Sequence, residues 1–136
     1  MPPILVRHAK AGDRTAWAGD DRKRPLDERG RNQAEELVSR LAPFRVDAIY
    51  SSPAVRCIET VEPLASARGL PVVVRDELGE ERQWEDGGPL LDELADQDVV
   101  VCGHGGLEHA ALREPRKWRK GAAFVLDEKL RIVAEV

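Results

Sequence analysis

The 136-residue chain has little of what staples, anchors or charges a specialised protein. Its two cysteines, Cys57 and Cys102, are far apart and form no CxxC pair. That excludes a disulfide scaffold and the common zinc or dithiol motifs; two reduced, half-buried thiols are expected. No apolar run approaches the ~18–20 residues of a membrane helix, so no membrane partner is expected. Positive charge is not in excess: 21 Lys and Arg stand against 25 Asp and Glu, a net charge of −4 with pI ≈ 5.4. A nucleic-acid polymer is therefore an improbable partner, because phosphate backbones need a basic face. The N-terminal Met1-Pro2-Pro3-Ile4-Leu5-Val6 lacks a basic stretch followed by a long apolar one. We expect no secretory leader and a cytoplasmic location.

What is present suits one packed domain, taken as residues 1–136. Hydrophobic residues make up 42 % and charged residues 34 %, enough for both a core and a solvated surface. Short apolar runs alternate with helical patterns. Pro3–Val6, Asp47–Ser51, Pro71–Val74 and Asp98–Cys102 read as strands, the last one continuous enough to be buried on both faces. Ala34, Leu37, Val38 and Leu41 place one stripe on a helix over Gly30–Ala42. Ser52 as N-cap and Pro53 in the first turn open a helix over Ala54–Ala67, which Pro63 is expected to kink or break and Gly69 to close. A short helix over Pro89–Ala95, another starting at Leu107, and a closing hairpin over Ala122–Leu126 and Leu130–Val136 complete the reading. Helices between strands predict an α/β fold of three layers, α/β/α, with a mostly parallel central sheet and helices on both faces. The oligomeric state is not encoded in any pattern; a monomer is favoured.

Three strand ends carry the chemistry. The first ends in Arg7-His8, the second in Ser51-Ser52-Pro53 with Arg56 one turn on, and the apolar strand near the C-terminus in Gly103-His104-Gly105-Gly106. Ligands of open α/β sheets bind outside the carboxyl ends of strands, so two histidines and two arginines converge on one rim. Arginine forks suit phosphate oxygens, and a neutral imidazole is a competent nucleophile toward phosphorus. Cationic neighbours oppose protonation of His8 and stabilise a transferring phosphoryl group. The combination points to phosphoryl transfer through a phosphohistidine with no metal and no cofactor. The acidic stretch Glu77–Glu85 can supply a proton to the leaving oxygen.

Competing chemistries lack their residues. There is no HExxH, and arginines beside His8 and His104 would repel a metal ion. A cysteine phosphatase needs an arginine six residues past its cysteine, where this chain has Pro63 and Glu108. No GxxxxGK[ST] loop and no Glu-rich Nudix-type helix occurs.

Four blocks, Val6-Arg7-His8-Ala9-Lys10-Ala11, Arg24-Pro25-Leu26-Asp27-Glu28-Arg29-Gly30-Arg31, Ser51-Ser52-Pro53-Ala54-Val55-Arg56-Cys57-Ile58-Glu59-Thr60 and Cys102-Gly103-His104-Gly105-Gly106, together resemble the histidine phosphatase superfamily, the phosphoglycerate-mutase-like group. The short length and the RHAKA block are most similar to the small SixA-type phosphohistidine phosphatases. Arg24 to Leu64 also looks like the phosphatase-like second domain of Nudix–histidine phosphatase fusions. The resemblance implies that His8 is the phosphorylated nucleophile, that Arg7 and Arg56 bind phosphoryl oxygens, and that His104 is the second, electrostatic histidine. Glu80, within a partial match at Leu78-Gly79-Glu80, is the choice for proton donor, with Glu81 as runner-up. Lys10, Arg14, Ser52 and Gly105 are expected substrate contacts. The family's usual Arg-His-Gly reads Arg7-His8-Ala9 here. Short connections around the rim imply an open pocket, suited to a phosphomonoester or to a phosphohistidine on a protein. The alternative is a phosphate-binding or interaction module with little turnover, possibly beside a Nudix hydrolase. His109 is expected outside the site; Trp17, Trp84 and Trp118 are expected to pack, the first two near the entrance.

Overall fold

The computed structural model describes residues 3–136; Met1 and Pro2, part of the stretch read for a leader, lie outside them. The strands are β1 (Ile4–Arg7), β2 (Ala48–Ser51), β3 (Val72–Val74), β4 (Val99–Gly103), β5 (Ala123–Leu126) and β6 (Ile132–Glu135). The helices are α1 (Glu28–Arg40), α2 (Val55–Arg68), α3 (Gly88–Leu94) and α4 (Leu107–Ala111). One six-stranded sheet has the order β3-β2-β4-β1-β5-β6. Strands β1 to β4 pair in parallel, and β5 and β6 close the far edge antiparallel. The mostly parallel sheet expected from the sequence is present.

The period of two along each strand builds two cores. Ile4, Val6, Ile49, Val100, Cys102 and Ala123 face α1 and α2, meeting Leu37, Leu41, Val61, Leu64 and Ala65. Leu5, Val99, Val101, Phe124 and Leu126 face the other way, onto Leu90, Leu91 and Leu94 of α3, Leu107 of α4, and Trp118. Helices therefore cover both faces, and every residue of β4 is buried, as the unbroken Val-Val-Val-Cys run requires at the centre of a sheet.

Local chemistry places the helix that leads out of the first loop. Asp27 caps α1 by accepting from Gly30 N–H at 2.8 Å. A Cβ on Gly30 would collide with the Lys10 carbonyl, so glycine here lets the Arg7–Lys10 segment lie against the helix. Two expectations at α2 give way. Ser52 is not its N-cap; Ala54 is, without a side-chain cap. Pro63 does not end the helix, which runs through to Arg68 and closes at left-handed Gly69. Val61, Leu64 and Ala65, buried on either side of the proline, outweigh its missing hydrogen bond. The acidic stretch after β3 forms a 3-10 turn at Asp76–Leu78 and a π-helical turn at Gln83–Gly87. Of the three tryptophans only Trp118 is buried, stacked on Phe124; Trp17 is exposed, and Trp84, also exposed, lays its ring against Gly106. Cys57 and Cys102 are free and fully buried. Among the described residues no helix is long and apolar enough to cross a membrane.

Candidate active site

The parallel strands deliver their carboxyl ends to one rim, and the four residues singled out there meet. Arg7 and His8 leave β1, while His104 leaves β4, the strand hydrogen-bonded beside it. Arg56 enters from the first turn of α2. The rings of His8 and His104 stand 5.4 Å apart, edge to face. A cleft of about 630 Å³ opens over Arg7 and His8, lined further by Lys10, Ala11, Gly12, Asp13, Arg14, Arg24, Glu80, Gly105 and Lys120, while His104 and Arg56 are buried behind its wall.

His8 is 7 % exposed, and its Nδ1–H donates to the Ala9 carbonyl at 2.8 Å. A carbonyl can only accept, so the tautomer is fixed and Nε2 keeps the lone pair. Burial lowers its pKa from 6.5 to about 3, with His104, Arg56 and Arg7 adding to the effect against the opposing Ala9 bond. The expected influence of cationic neighbours is thus present, but desolvation is the larger cause. Thr60 holds this segment to α2. Its Oγ1 accepts from Ala9 N–H at 2.9 Å and donates to the Arg56 carbonyl at 2.6 Å.

His104 is oriented from behind. Its Nε2 lies 2.8 Å from Ser52 Oγ, and Ser52 Oγ also accepts from Ala54 N–H at 3.2 Å. The serine proton, having no other acceptor, goes to His104 Nε2, which leaves the imidazole proton on Nδ1. Ser52 is fully buried and absent from the cleft wall. The hydroxyl, expected to contact substrate, here positions His104. Gln83, also fully buried, accepts from His104 N–H at 3.3 Å and donates to the Gly105 carbonyl at 3.1 Å, fixing the glycine-rich turn. Gly105 lines the cleft; a Cβ there would stand 2.9 Å from the Arg7 guanidinium.

The arginines are held by the protein at one side only. Arg7 Nη1 donates to the Trp118 carbonyl at 2.6 Å. Arg56, 1 % exposed, donates from Nη1 to the Asp21 carbonyl at 2.8 Å, while its Nη2 meets Asp21 Oδ2 at 3.2 Å and Glu80 Oε1 at 3.3 Å. Among the described residues four buried side-chain polar atoms lack a hydrogen-bond partner: Arg7 Nε, Arg56 Nε, His104 Nδ1 and the remote Arg40 Nε. Native interiors leave few such atoms unpaired, and three of these four surround His8.

Glu80 reaches the site despite its loose motif. Its Oε2 lies 4.0 Å from His104 Nδ1 and 3.2 Å from Arg14 Nη2. Glu81, the runner-up, lines a neighbouring depression and not this cleft. Lys10 and Arg14 line the cleft, each with an acidic partner: Lys10 Nζ meets Asp27 at 2.6 Å, and Arg14 meets Asp21 and Glu80. His109 is exposed and outside the site, and neither Trp17 nor Trp84 lines the cleft. Among the described residues no three His, Cys, Asp or Glu side chains are grouped to hold a metal ion.

Sequence reasoning missed four contributors. Asp21 gathers Arg14, Arg24 and Arg56 around one carboxylate, whose pKa these cations lower against its partial burial. Thr60 lies in the Ser51–Thr60 block, where nothing local marks its role. Gln83 and Lys120 belong to segments with no periodic pattern, and no local signal marks them.

The chain is similar to known proteins in sequence and in fold. The sequence profile described as "Histidine phosphatase superfamily (branch 1)" matches residues 4–88. An 8-oxo-(d)GTP phosphatase of Mycolicibacterium smegmatis is 55 % identical over 90 % of this chain and 43 % of its own length. The chain thus spans less than half of that relative. A structure assigned to the phosphohistidine phosphatase SixA of Agrobacterium tumefaciens is 30 % identical, covers 98 % of this chain and 96 % of its own, and superposes with a TM-score of 0.77. The protein histidine phosphatase SixA complexed with tungstate shares the fold at 21 % identity and a TM-score of 0.81, over 100 % of this chain and 96 % of its own.

Proposed function

Since the chain belongs to the histidine phosphatase superfamily, branch 1, we propose that it hydrolyses a phosphomonoester or a protein phosphohistidine through a phospho-His8 intermediate, without a metal. The observation that carries this reading is the trio of unpaired buried donors, Arg7 Nε, Arg56 Nε and His104 Nδ1, around an imidazole kept neutral. An oxyanion is the ligand that such donors satisfy best.

In the first step His8 Nε2 attacks phosphorus in line. The P–O bond to the leaving group breaks, its electron pair stays on the leaving oxygen, and Glu80 supplies a proton there. In the second step water attacks phospho-His8, the P–N bond breaks, and Glu80 takes the water proton. Arg7, Arg56 and His104 hold the three non-bridging oxygens through both steps. Because Glu80 also contacts Arg56 and Arg14, an arriving phosphoryl group competes with it for Arg56. The carboxylate is thereby freed as the oxyanion takes its place, and it takes the proton of a monoanionic phosphoryl group before passing it to the leaving oxygen.

The test is turnover of p-nitrophenyl phosphate and of a phosphohistidine peptide in EDTA, by the wild type and by His8→Ala. The reading expects hydrolysis in EDTA that His8→Ala abolishes. Phosphate binding with no turnover of either substrate would favour a binding module instead, and loss of activity on chelation would refute the metal-free mechanism.

A further inference from the structure

Lys120 stands out among the cations of the cleft. Lys10, Arg14 and Arg24 each meet a carboxylate. Lys120 lines the same cleft, and among the described residues it has no carboxylate partner. Lys120 is exposed on the cleft wall, and some loss of solvent with the nearby charges of Arg7, Arg24, Lys10 and Arg14 pulls its pKa below the usual lysine value. An anion entering the cleft would meet this ammonium together with four other cations.

Its position is built into the fold. Gly121 N–H donates to both the Arg7 and His8 carbonyls at 3.1 Å, which ties the Lys120 backbone to the nucleophile's own segment. Gln33 of α1 then bridges the two sides of the cleft. Its Oε1 accepts from Lys10 N–H at 2.9 Å, and its Nε2 donates to the Lys120 carbonyl at 3.5 Å. Gly121, at φ +80°, leaves Gln33 the room to do so; a Cβ there would stand 3.2 Å from the Gln33 amide carbon. One side chain thus fixes the backbones of both lysines. The same cleft wall includes Ala11 and Gly12, which add almost no bulk.

We propose that Lys120 and Lys10, held by Gln33, form a second anion subsite beside His8. It would take the next phosphate of a substrate whose terminal phosphoryl group is transferred. The substrate class is then a small-molecule diphosphate or polyphosphate. This rests on the phosphatase reading of the cleft and narrows its substrate. The bond broken is the bridging P–O of a phosphoanhydride, whose electron pair stays on the departing phosphate. A phosphate departs readily as an anion, so this class relies on Glu80 less than an alkyl ester does.

Calorimetric titration of the whole chain with inorganic phosphate and with methylenediphosphonate, in EDTA, tests the subsite. Methylenediphosphonate cannot be hydrolysed between its phosphorus atoms, so binding is read without turnover. The wild type is expected to bind the diphosphonate about tenfold or more tightly than phosphate, the worth of one added charge-assisted contact. Lys120→Met should remove most of that preference, and Gln33→Ala should reduce it. Lys129→Met, with the same charge change in the β5–β6 turn, should keep it. Equal affinities in the wild type, a preference that survives Lys120→Met, or one lost equally in Lys129→Met would overturn the proposal. Its failure is separable from that of the phosphatase reading. A chain that hydrolyses p-nitrophenyl phosphate without the preference sinks only the subsite; a chain that shows the preference without turnover sinks only the hydrolysis.

Discussion

Replacing Gly105 by alanine tests the arginine clamp through a single methyl group. The added Cβ would stand 2.9 Å from Arg7 Cζ and Nη2 and 3.2 Å from Nε. Comfortable heavy-atom contact is about 3.5–4.0 Å, so the guanidinium must retreat by roughly 0.6 Å or more. It is the far end of a flexible side chain, and Gly105 is not among the positive-φ glycines. The backbone therefore accepts alanine, and the lost unfolded-state freedom offsets the crowding by about 0.4–1 kcal/mol. Folding stability should change by less than about 1 kcal/mol, within the range of overpacking offset in this way. Catalysis should not escape so lightly. Misplacing one preorganised donor typically costs about 10²–10³ in rate, or ~2.7–4 kcal/mol of transition-state stabilisation. The assay is kcat/KM on p-nitrophenyl phosphate together with urea unfolding. Arg7→Ala should lose a similar amount, and the double variant should lose little more, because both act on one contact. A folded Gly105→Ala protein with near wild-type kcat/KM would refute the reasoning, as would full additivity with Arg7→Ala.

The other expectations follow from the same geometry. With a folded pKa of about 3, His8 should show no imidazole titration by NMR between about pH 8 and 5, and the acid limb of kcat/KM should not fall at an ordinary histidine pKa. The unfolded chain binds a proton at His8 below about pH 6.5 and the folded one does not, so this residue makes stability fall as pH drops from there toward 3. Thr60→Val removes the acceptor of a buried Ala9 N–H while keeping the shape, and should cost about 1–3 kcal/mol in urea unfolding. Glu80→Gln should slow hydrolysis of an alkyl phosphate by about 10²-fold or more, the usual worth of a general acid. It should slow p-nitrophenyl phosphate far less, because nitrophenolate needs no proton to leave. Equal losses on both would remove Glu80 from the proton-donor role.

Much of this site is legible where local pattern and tertiary demand coincide. The Val-Val-Val-Cys run reads as a central strand because a strand with neighbours on both edges and helices on both faces tolerates no polar alternate. Asp27 caps α1 and the stripe from Ala34 to Leu41 is buried for equally local reasons. Arg7, His8, Arg56 and His104 were placed together by the rule that parallel strands share a carboxyl rim. Reading fails where a side chain answers to a distant partner. Ser52 has the residue type and position of a cap, yet its hydroxyl also serves His104, 52 positions away. Pro63 looks like a breaker, but buried neighbours on α2 hold the helix through it. Lys120, in the irregular stretch between α4 and β5, enters the cleft through Gln33, 87 positions away. No sequence window contains either contact.

The central claim is that His8 Nε2 becomes bonded to phosphorus during turnover. Rapid quenching in alkali, where a phosphoramidate survives, followed by peptide mapping and ³¹P NMR, tests it most directly. The account predicts a phosphoryl group on the peptide carrying His8, attached at Nε2, that disappears in acid and is absent from His8→Ala. Turnover with the phosphoryl group on another residue, or on His8 through Nδ1, would contradict it.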